Sequence, residues 1–341
     1  MIRSASWSLV VASLLCASCG DDDSTGTPSG GTTVTSSGGS GGSGGSATGS
    51  GGTATGTGGT STGSGGTGQG GSTSQGGGAV GELCPDPLPS SWIFCDDFES
   101  SDPVADRYFE YWTDDGEFAR VSTESMSGSH SMEAIFQSGE VEAGNLKVTF
   151  GRNPIDTPTQ YRPSEDFDDI YWRMYLKNQA GWTGSPAKLS RATVFSASDW
   201  SQAMIAHLWS SGDVLLGDPA GCVSGGTVQC SGYNDFANLQ WLGQMPGTTP
   251  IFSTAGSGVW RCIEGHATLN TPGSADGVFE FWIDGQLENQ RTDFDWRGTY
   301  TAYGLNAVFF ENYWNSGSPV EQRRYFDDLA IATERIGCFG D

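Results

Sequence analysis

Four side chains on three predicted strands have the types needed to bind a carboxylate and to move protons. Arg173 and Tyr175 alternate along one strand, His207 lies on a second and Gln240 on a third. A guanidinium or an amide can neutralise a carboxylate and so acidify the adjacent C–H bond, while an imidazole or a phenol can exchange a proton. These four residues are the candidate catalytic group. The alternative for His207, which stands next to two apolar residues, is a hydrogen-bonded core histidine.

The same region carries a local excess of positive charge. The chain as a whole has 40 acidic and 16 basic residues and a net charge of −24, which excludes nucleic-acid binding through bulk electrostatics. A cleft depends on its own lining, however, so a polyanion can bind at a basic island. The candidate substrate-binding residues are Lys177, Lys188, Arg191 and Trp209. The alternative for these cations, and for Arg173, is pairing with Asp166, Asp168 and Asp169.

The elements that must position these residues are β-strands. Apolar residues recur with a period of two, and turn-forming residues interrupt them every ten to fifteen positions, which predicts an antiparallel all-β domain. The strand at 170–177 places Ile170, Trp172, Met174 and Leu176 on an apolar face and leaves a wet face opposite. Asp284-Gly285 predicts a type I′ hairpin. Further strands are expected at 93–99, 131–137, 145–150, 192–197, 203–209, 239–244, 260–270, 278–283, 306–311 and 325–333.

Five segments together resemble a known fold family. They are Asp96-Asp97-Phe98-Glu99, Tyr171-Trp172-Arg173-Met174-Tyr175, Trp260-Arg261-Cys262-Ile263-Glu264, Phe281-Trp282-Ile283-Asp284-Gly285 and Tyr325-Phe326-Asp327-Asp328-Leu329. The sequence is similar to the concanavalin A-like lectin/glucanase jelly rolls, and within them to secreted polysaccharide lyases of the alginate and glucuronan type. The resemblance implies an antiparallel β-sandwich jelly roll.

The resemblance also implies an activity. A lyase of this type would cleave an acidic polysaccharide by β-elimination, with Arg173, Tyr175, His207 and Gln240 as catalytic residues. The alternative is a lectin-like module that binds carbohydrate without turnover. A glucanase is disfavoured, because no Glu-x-Asp-x-x-Glu run provides its paired carboxylates.

A structural calcium ion is a further implication of the resemblance. Its ligands would be Glu99 with Asp327 or Asp328, brought together where the first and last strands of the jelly roll lie side by side. Carboxylates that meet in one place repel each other unless they are protonated or bridged by a hard cation. The alternative is that these residues cap the ends of their strands and face solvent, with no metal bound.

The chain divides into three parts by composition. Residues 1–19 form a lipoprotein-type export signal, with Cys19 as the lipidated residue; the alternative is a plain secretory peptide. Residues 20–79 are rich in Gly, Ser and Thr and form a disordered linker, and residues 80–341 form the β-sandwich domain. We therefore expect an exported monomer, attached to the outer membrane or cell surface through its lipid.

Six cysteines lie in the domain, which in an exported protein indicates three disulfides. Cys222 and Cys230 flank a short turn and are predicted to pair. The other four cysteines allow three pairings, and the sequence does not choose among them.

Overall fold

The computed structural model describes residues 84–186 and 188–339. Two short 3₁₀ helices, Val104–Arg107 and Asp114–Gly116, accompany eighteen strands in these residues. The strands are β1 Trp92–Asp96, β2 Glu110–Trp112, β3 Phe118–Val121, β4 Ser131–Phe136, β5 Glu142–Thr149, β6 Asp169–Asn178, β7 Lys188–Phe195, β8 Gln202–Ser211, β9 Val214–Gly221, β10 Val223–Ser224, β11 Thr227–Val228, β12 Gln240–Trp241, β13 Met245–Pro246, β14 Arg261–Thr268, β15 Gly277–Ile283, β16 Gln286–Phe294, β17 Ala307–Tyr313 and β18 Gln322–Ala332. The predicted signal and linker lie outside the described residues.

Sixteen of the eighteen strands form two large antiparallel sheets that pack as a sandwich, and β10 pairs with β11 in a separate two-stranded sheet. Sheet I has the order β16-β15-β14-β6-β18-β4-β3, with β1 also paired to β18. Sheet II has the order β12-β9-β8-β7-β17-β5-β2, with β13 also paired to β9. The predicted all-β antiparallel sandwich is confirmed. No helix among the described residues is long and apolar enough to cross a membrane.

The core lies between the inner faces of the two sheets and follows the predicted period of two. On β6 the predicted apolar face is buried, with Trp172 and Met174 fully enclosed. Trp172 pairs directly with Gly265 on β14. A Cβ atom at position 265 would lie 2.4 Å from the Trp172 ring, so only glycine leaves room for the indole there.

Turns and disulfides stabilise the sandwich, and the sequence predicts some of them. Asp284 and Gly285 join β15 to β16 with φ of 50° and 75°, which agrees with the predicted type I′ turn. The first and last strands are neighbours, since β1 pairs with β18. The disulfides join Cys222 to Cys230, as predicted, Cys84 to Cys95, and Cys262 to Cys338.

Candidate active site

The predicted catalytic residues do not meet at one site. Arg173 and Tyr175 lie on β6 in sheet I and His207 on β8 in sheet II, and on both strands the alternate side chains point into the shared core. The outer faces of the two sheets point away from each other, so the structure places His207 on the opposite side of the sandwich from Arg173 and Tyr175. The grouping inferred from the sequence is corrected in this respect.

The outer face around Arg173 and Tyr175 is covered, although the sequence predicts that it is wet. Each residue is only 3% exposed. Arg173 donates to the Gly337 carbonyl at 3.3 Å, and the Tyr175 hydroxyl accepts from the Phe339 N–H at 2.6 Å. The C-terminal segment that covers them is fastened to β14 by the disulfide at Cys262. Neither side chain therefore faces an open cleft.

Lys177 shares this outer face of sheet I with Arg173 and Tyr175. Its ammonium donates to Glu124 at 2.7 Å. The predicted basic island is thus divided between the two sheets, because Lys188 and Arg191 lie on β7 of sheet II. The aspartates that the sequence suggests as partners of these cations bind other residues instead. Asp168 accepts a hydrogen bond from Arg297 at 2.9 Å, and Asp166 accepts one from Arg152 at 2.8 Å.

A groove with a cavity volume of about 390 Å³ lies on the outer face of sheet II. Side chains from β2, β5, β7, β8 and β17 and from the loop after β11 supply its walls. The residues that line the groove are Glu110, Trp112, Glu142, Asn145, Lys147, Lys188, Trp209, Tyr233, Asn234, Phe236, Glu311, Tyr313 and Asn315. Two predicted substrate-binding residues, Lys188 and Trp209, are among them.

A buried ion pair supports the floor of the groove. Arg191 is fully enclosed and donates from Nε and Nη2 to the two oxygens of Glu311, at 2.9 and 2.6 Å. Burial opposes ionisation of the Glu311 carboxyl, but the Arg191 guanidinium outweighs this effect and lowers the pKa of Glu311. Arg191 also holds the loop, because Nη2 donates a second bond to Tyr233 Oη at 2.8 Å and Nη1 donates to Asn234 Oδ1 at 2.9 Å. All three nitrogens of Arg191 thus donate to protein groups, and Arg191 positions Tyr233 in the groove.

Lys188 is the unpaired cation of the groove. The chain has three lysines; Lys147 pairs with Glu110 and Lys177 with Glu124. Lys188 has no carboxylate within ion-pair distance among the described residues, and its Nζ lies 4.2 Å from the centroid of the Tyr313 ring. Burial, with the charge of Arg191, lowers the pKa of Lys188 to about 8. About half of Lys188 is therefore neutral at pH 8, and a proton acceptor must be neutral.

Other groove residues complete a set for binding and proton transfer. The Lys147 ammonium lies over the ring of Tyr233, with Nζ 5.7 Å from its centroid. The Tyr233 ring is partly exposed, but its hydroxyl is held between Arg191 and Glu311, and burial raises the pKa of Tyr233 so that the phenol keeps its proton. The Oδ1 atom of Asn145 is buried without a hydrogen-bond partner in the described part of the chain.

His207 and Gln240 lie outside the lining of this groove. His207 is 1% exposed, and neither ring nitrogen has a hydrogen-bond partner among the described residues. Burial lowers the pKa of His207 well below its ordinary value, and the charges of Arg191 and Lys188 lower it further, so the ring is neutral. Gln240 is exposed on the edge strand β12.

The groove contains residues that the sequence argument did not single out, notably Lys147, Tyr233, Glu311 and Tyr313. Lys147 and Glu311 lie on strands that the sequence predicts, at positions that alternate with core residues, so strand periodicity could have assigned both to an outer face. Tyr233 follows Cys230 in an irregular loop, for which periodicity gives no signal.

The residues predicted to bind calcium lie beside the paired first and last strands. Asp327 Oδ2 accepts from the Met126 N–H at 2.7 Å, and Asp328 Oδ1 accepts from Ser127 Oγ at 2.9 Å. Asp328 Oδ2 is buried without a partner in the part of the chain that the structure describes. Burial raises the pKa of Asp327 to about 8, with a contribution from the charge of Asp328, and burial raises that of Asp328 to about 6.

Glu99 is bound by a different loop. Its carboxylate accepts from the N–H groups of Ser129 and His130 at 2.7 and 2.6 Å, and from both of their side chains. Although partial burial opposes ionisation, these bonds lower the pKa of Glu99 to about 2.

Over residues 84–186 and 188–339, one trio has ligand atoms within 4.8 Å of one another, and it consists of Asp114, Glu117 and Glu140. The predicted calcium ligands do not form such a trio.

Comparison with known proteins gives similarity at the level of the fold. No protein-family model and no curated protein matches the sequence. Similar solved structures include an endo-beta-1,4-glucuronan lyase from the fungus Trichoderma reesei, at 13% identity over 72% of this chain and 92% of that one, with a TM-score of 0.44. The PL-14 alginate lyase from Aplysia kurodai is 15% identical over 72% of this chain and 100% of that one, with a TM-score of 0.48.

Alginate lyase vAL-1 from Chlorella virus is also similar, at 11% identity over 72% of this chain and 93% of that one, with a TM-score of 0.46. The expected similarity to alginate and glucuronan lyases is thus confirmed for the fold. At these identities and TM-scores it carries no argument about what the groove does.

Proposed function

We propose that this domain is a polysaccharide lyase-like protein that binds an acidic polysaccharide in the sheet II groove and cleaves it by β-elimination. The observation that carries the proposal is Lys188, a buried lysine without a carboxylate partner among the described residues and with a pKa of about 8. A general base works best when its pKa lies near the working pH. Perturbed groups of this kind cluster at functional sites.

The roles follow from the chemistry of the lining. Lys147 and the Asn145 amide line the groove and would bind the uronate carboxylate, which would stabilise the carbanion that forms next to it. Neutral Lys188 takes the proton from that carbon. The C–O bond at the next carbon then breaks, leaving a C=C bond, and Tyr233 gives its proton to the departing oxygen. Tyr233 carries its proton before this step, because burial raises its pKa.

The experiment is a panel assay of the purified domain with alginate, glucuronan, pectate and glycosaminoglycans. Turnover appears as ultraviolet absorbance of the unsaturated uronate. Lys188→Met should reduce kcat by roughly 10²–10⁴-fold, the range typical of a lost general base. Lys177→Met removes the same charge from the other sheet and should leave kcat within about twofold. Equal losses in both variants, or full activity of Lys188→Met, would contradict the proposed site.

A lectin-like module without turnover is the second candidate, and the exposed aromatic rings at the groove favour it. Trp112 and Tyr233 are each 37% exposed there, and aromatic faces of this kind stack on the C–H face of a sugar. Retention on immobilised glycans without any unsaturated product from the panel would select this function over the lyase.

We also propose a structural calcium ion at Asp327 and Asp328, with Glu99 as a further ligand. The support is the unpartnered Oδ2 of Asp328 and the raised pKa values of two adjacent buried carboxylates, which a hard cation would relieve. The ligand shell would require Glu99 to turn from its present loop partners. Chelation should lower the melting temperature by several degrees, with recovery on adding calcium. An unchanged melting curve and no calcium by elemental analysis would refute the site.

The surface location remains a proposal that rests on the sequence. Cys19 would carry the lipid, and the segment 20–79 would hold the domain away from the membrane. Cys19→Ala should move the protein from the membrane fraction to the soluble exported fraction. Membrane association that persists in this variant would refute lipidation at Cys19.

A further inference from the structure

We propose that Phe236 and Trp241 form a second sugar-binding position, at which a pyranose ring of the polysaccharide stacks on two aromatic rings, one in the lining of the groove and one beside it. This inference rests on the proposed binding of an acidic polysaccharide in the groove, and it extends the binding surface toward the β12 edge of sheet II. Phe236 and Trp241 together are called the aromatic platform below.

The platform is exposed yet firmly attached. Phe236 is 53% exposed and Trp241 is 43% exposed, and their ring planes lie within 16° of each other with centroids 6.5 Å apart. Phe236 lies in the loop that follows the Cys222–Cys230 disulfide, and Asp235 within that loop accepts hydrogen bonds from Ser231 N at 3.0 Å and Asn238 Nδ2 at 2.8 Å. Exposed rings on a loop fixed in this way are preorganised for a ligand, so stacking on them costs little ordering entropy.

Unpartnered polar atoms lie directly against the platform. The His207 ring is 6.1 Å from the Trp241 ring and 4.7 Å from the Trp209 ring. Both His207 nitrogens and the Trp209 Nε1 are buried without a hydrogen-bond partner among the described residues. Buried polar atoms in folded proteins are nearly always paired, so these three atoms lack a partner that the described residues do not supply. A sugar offers hydroxyl groups for such atoms and a C–H face for the rings, which is the combination found here.

The platform is continuous with the catalytic end of the groove. Trp209 on β8 pairs directly with Lys188 on β7, and its ring lies 6.0 Å from that of Trp241. Phe236 itself lines the groove. A chain with one sugar at Lys188 would therefore place a neighbouring sugar on the platform. Short oligomers that occupy only the Lys188 end would not reach it.

The test compares the polymer with the shortest oligomer that the wild type cleaves. Trp241→Ala and Phe236→Ala should each raise KM for the polymer by about fivefold, the size of one lost aromatic contact. Because Trp241 lies outside the lining of the groove, Trp241→Ala should leave kcat and the KM for the shortest oligomer unchanged, and Trp241→Tyr should restore most of the affinity for the polymer. The matched control is Phe339→Ala, which removes a 47% exposed ring from the C-terminal segment that covers sheet I.

The outcomes separate this proposal from the one on which it depends. If the wild type neither binds nor cleaves any acidic polysaccharide, the proposed function fails first, and the platform fails with it. If the wild type is active but folded Trp241→Ala and Phe236→Ala show unchanged KM for the polymer, the platform alone is refuted. Equal KM increases for polymer and shortest oligomer would also refute it. Phe236→Ala decides the question if Trp241→Ala does not fold.

Discussion

If Lys188 is the general base, kcat/KM should rise as the pH is raised through about 8. With a pKa of about 8, neutral lysine makes up about 9% of Lys188 at pH 7, about half at pH 8 and about 90% at pH 9. A base must be neutral to accept a proton, so kcat/KM should rise about tenfold between pH 7 and pH 9 and then level off. This parameter reports the free enzyme, so a shift of the pKa by the bound uronate does not enter it.

The assay is the initial rate of unsaturated uronate formation at low substrate concentration across that range. The charge of Glu142 raises the pKa of Lys188, so Glu142→Gln should move the midpoint of the profile to lower pH. Lys188→Met should abolish the rise together with the activity. A rate that falls as the pH increases through 8 would mean that Lys188 works as a cation on the substrate carboxylate, and it would refute the role as base.

Three further predictions concern stability. In calcium-free protein, the pKa values of Asp327 and Asp328 are raised, so the folded state holds protons that the unfolded chain releases. The melting temperature should therefore fall from pH 5 to pH 8. A rise over this range would contradict the prediction. Bound calcium should remove that fall. Removing the bridge at Cys262, which spans 76 residues, should cost about 4.5 kcal/mol by chain entropy, against about 2.5 kcal/mol for the 8-residue span at Cys222. Denaturant unfolding of the two variants would show whether this order holds. Gly265→Ala should cost roughly 1–3 kcal/mol by overpacking, and an unchanged unfolding midpoint would contradict the tight contact.

The sequence predicts the fold well because strand periodicity is a local signal. The 170–177 prediction corresponds to β6, and the alternation of its side chains places Trp172 in the core as expected. Seven strands escape the periodic pattern, and β9 and β16 are the long ones among them. β9 carries Gly217 and Pro219 among its residues, and β16 carries mostly polar residues because it lies at an edge of sheet I. Both are recognisable only once their partner strands are known.

The candidate site is less predictable because it depends on which sheet each strand joins. Arg173 and His207 occupy equivalent outward positions on two strands, and local sequence cannot show that these strands belong to opposite sheets. The covering of Arg173 by the segment around Gly337 is a contact across 164 residues. The role of Lys188 depends in the same way on residues that are distant in sequence, since Tyr313 on β17 and Trp209 on β8 pair with it across the sheet.

Lys188 imposes a cost that the fold could readily have avoided. The chain carries 40 acidic residues, and the two other lysines have each found one of them. Lowering the pKa of Lys188 from 10.5 to about 8 corresponds to roughly 3 kcal/mol of destabilisation of the charged form in the folded protein. A partner carboxylate or a methionine at this position would remove that cost. This destabilisation is a large fraction of the stability of an ordinary domain, and it comes from enclosing the Lys188 ammonium in a groove without a carboxylate partner. A lysine in such a surrounding is suited to accept a proton.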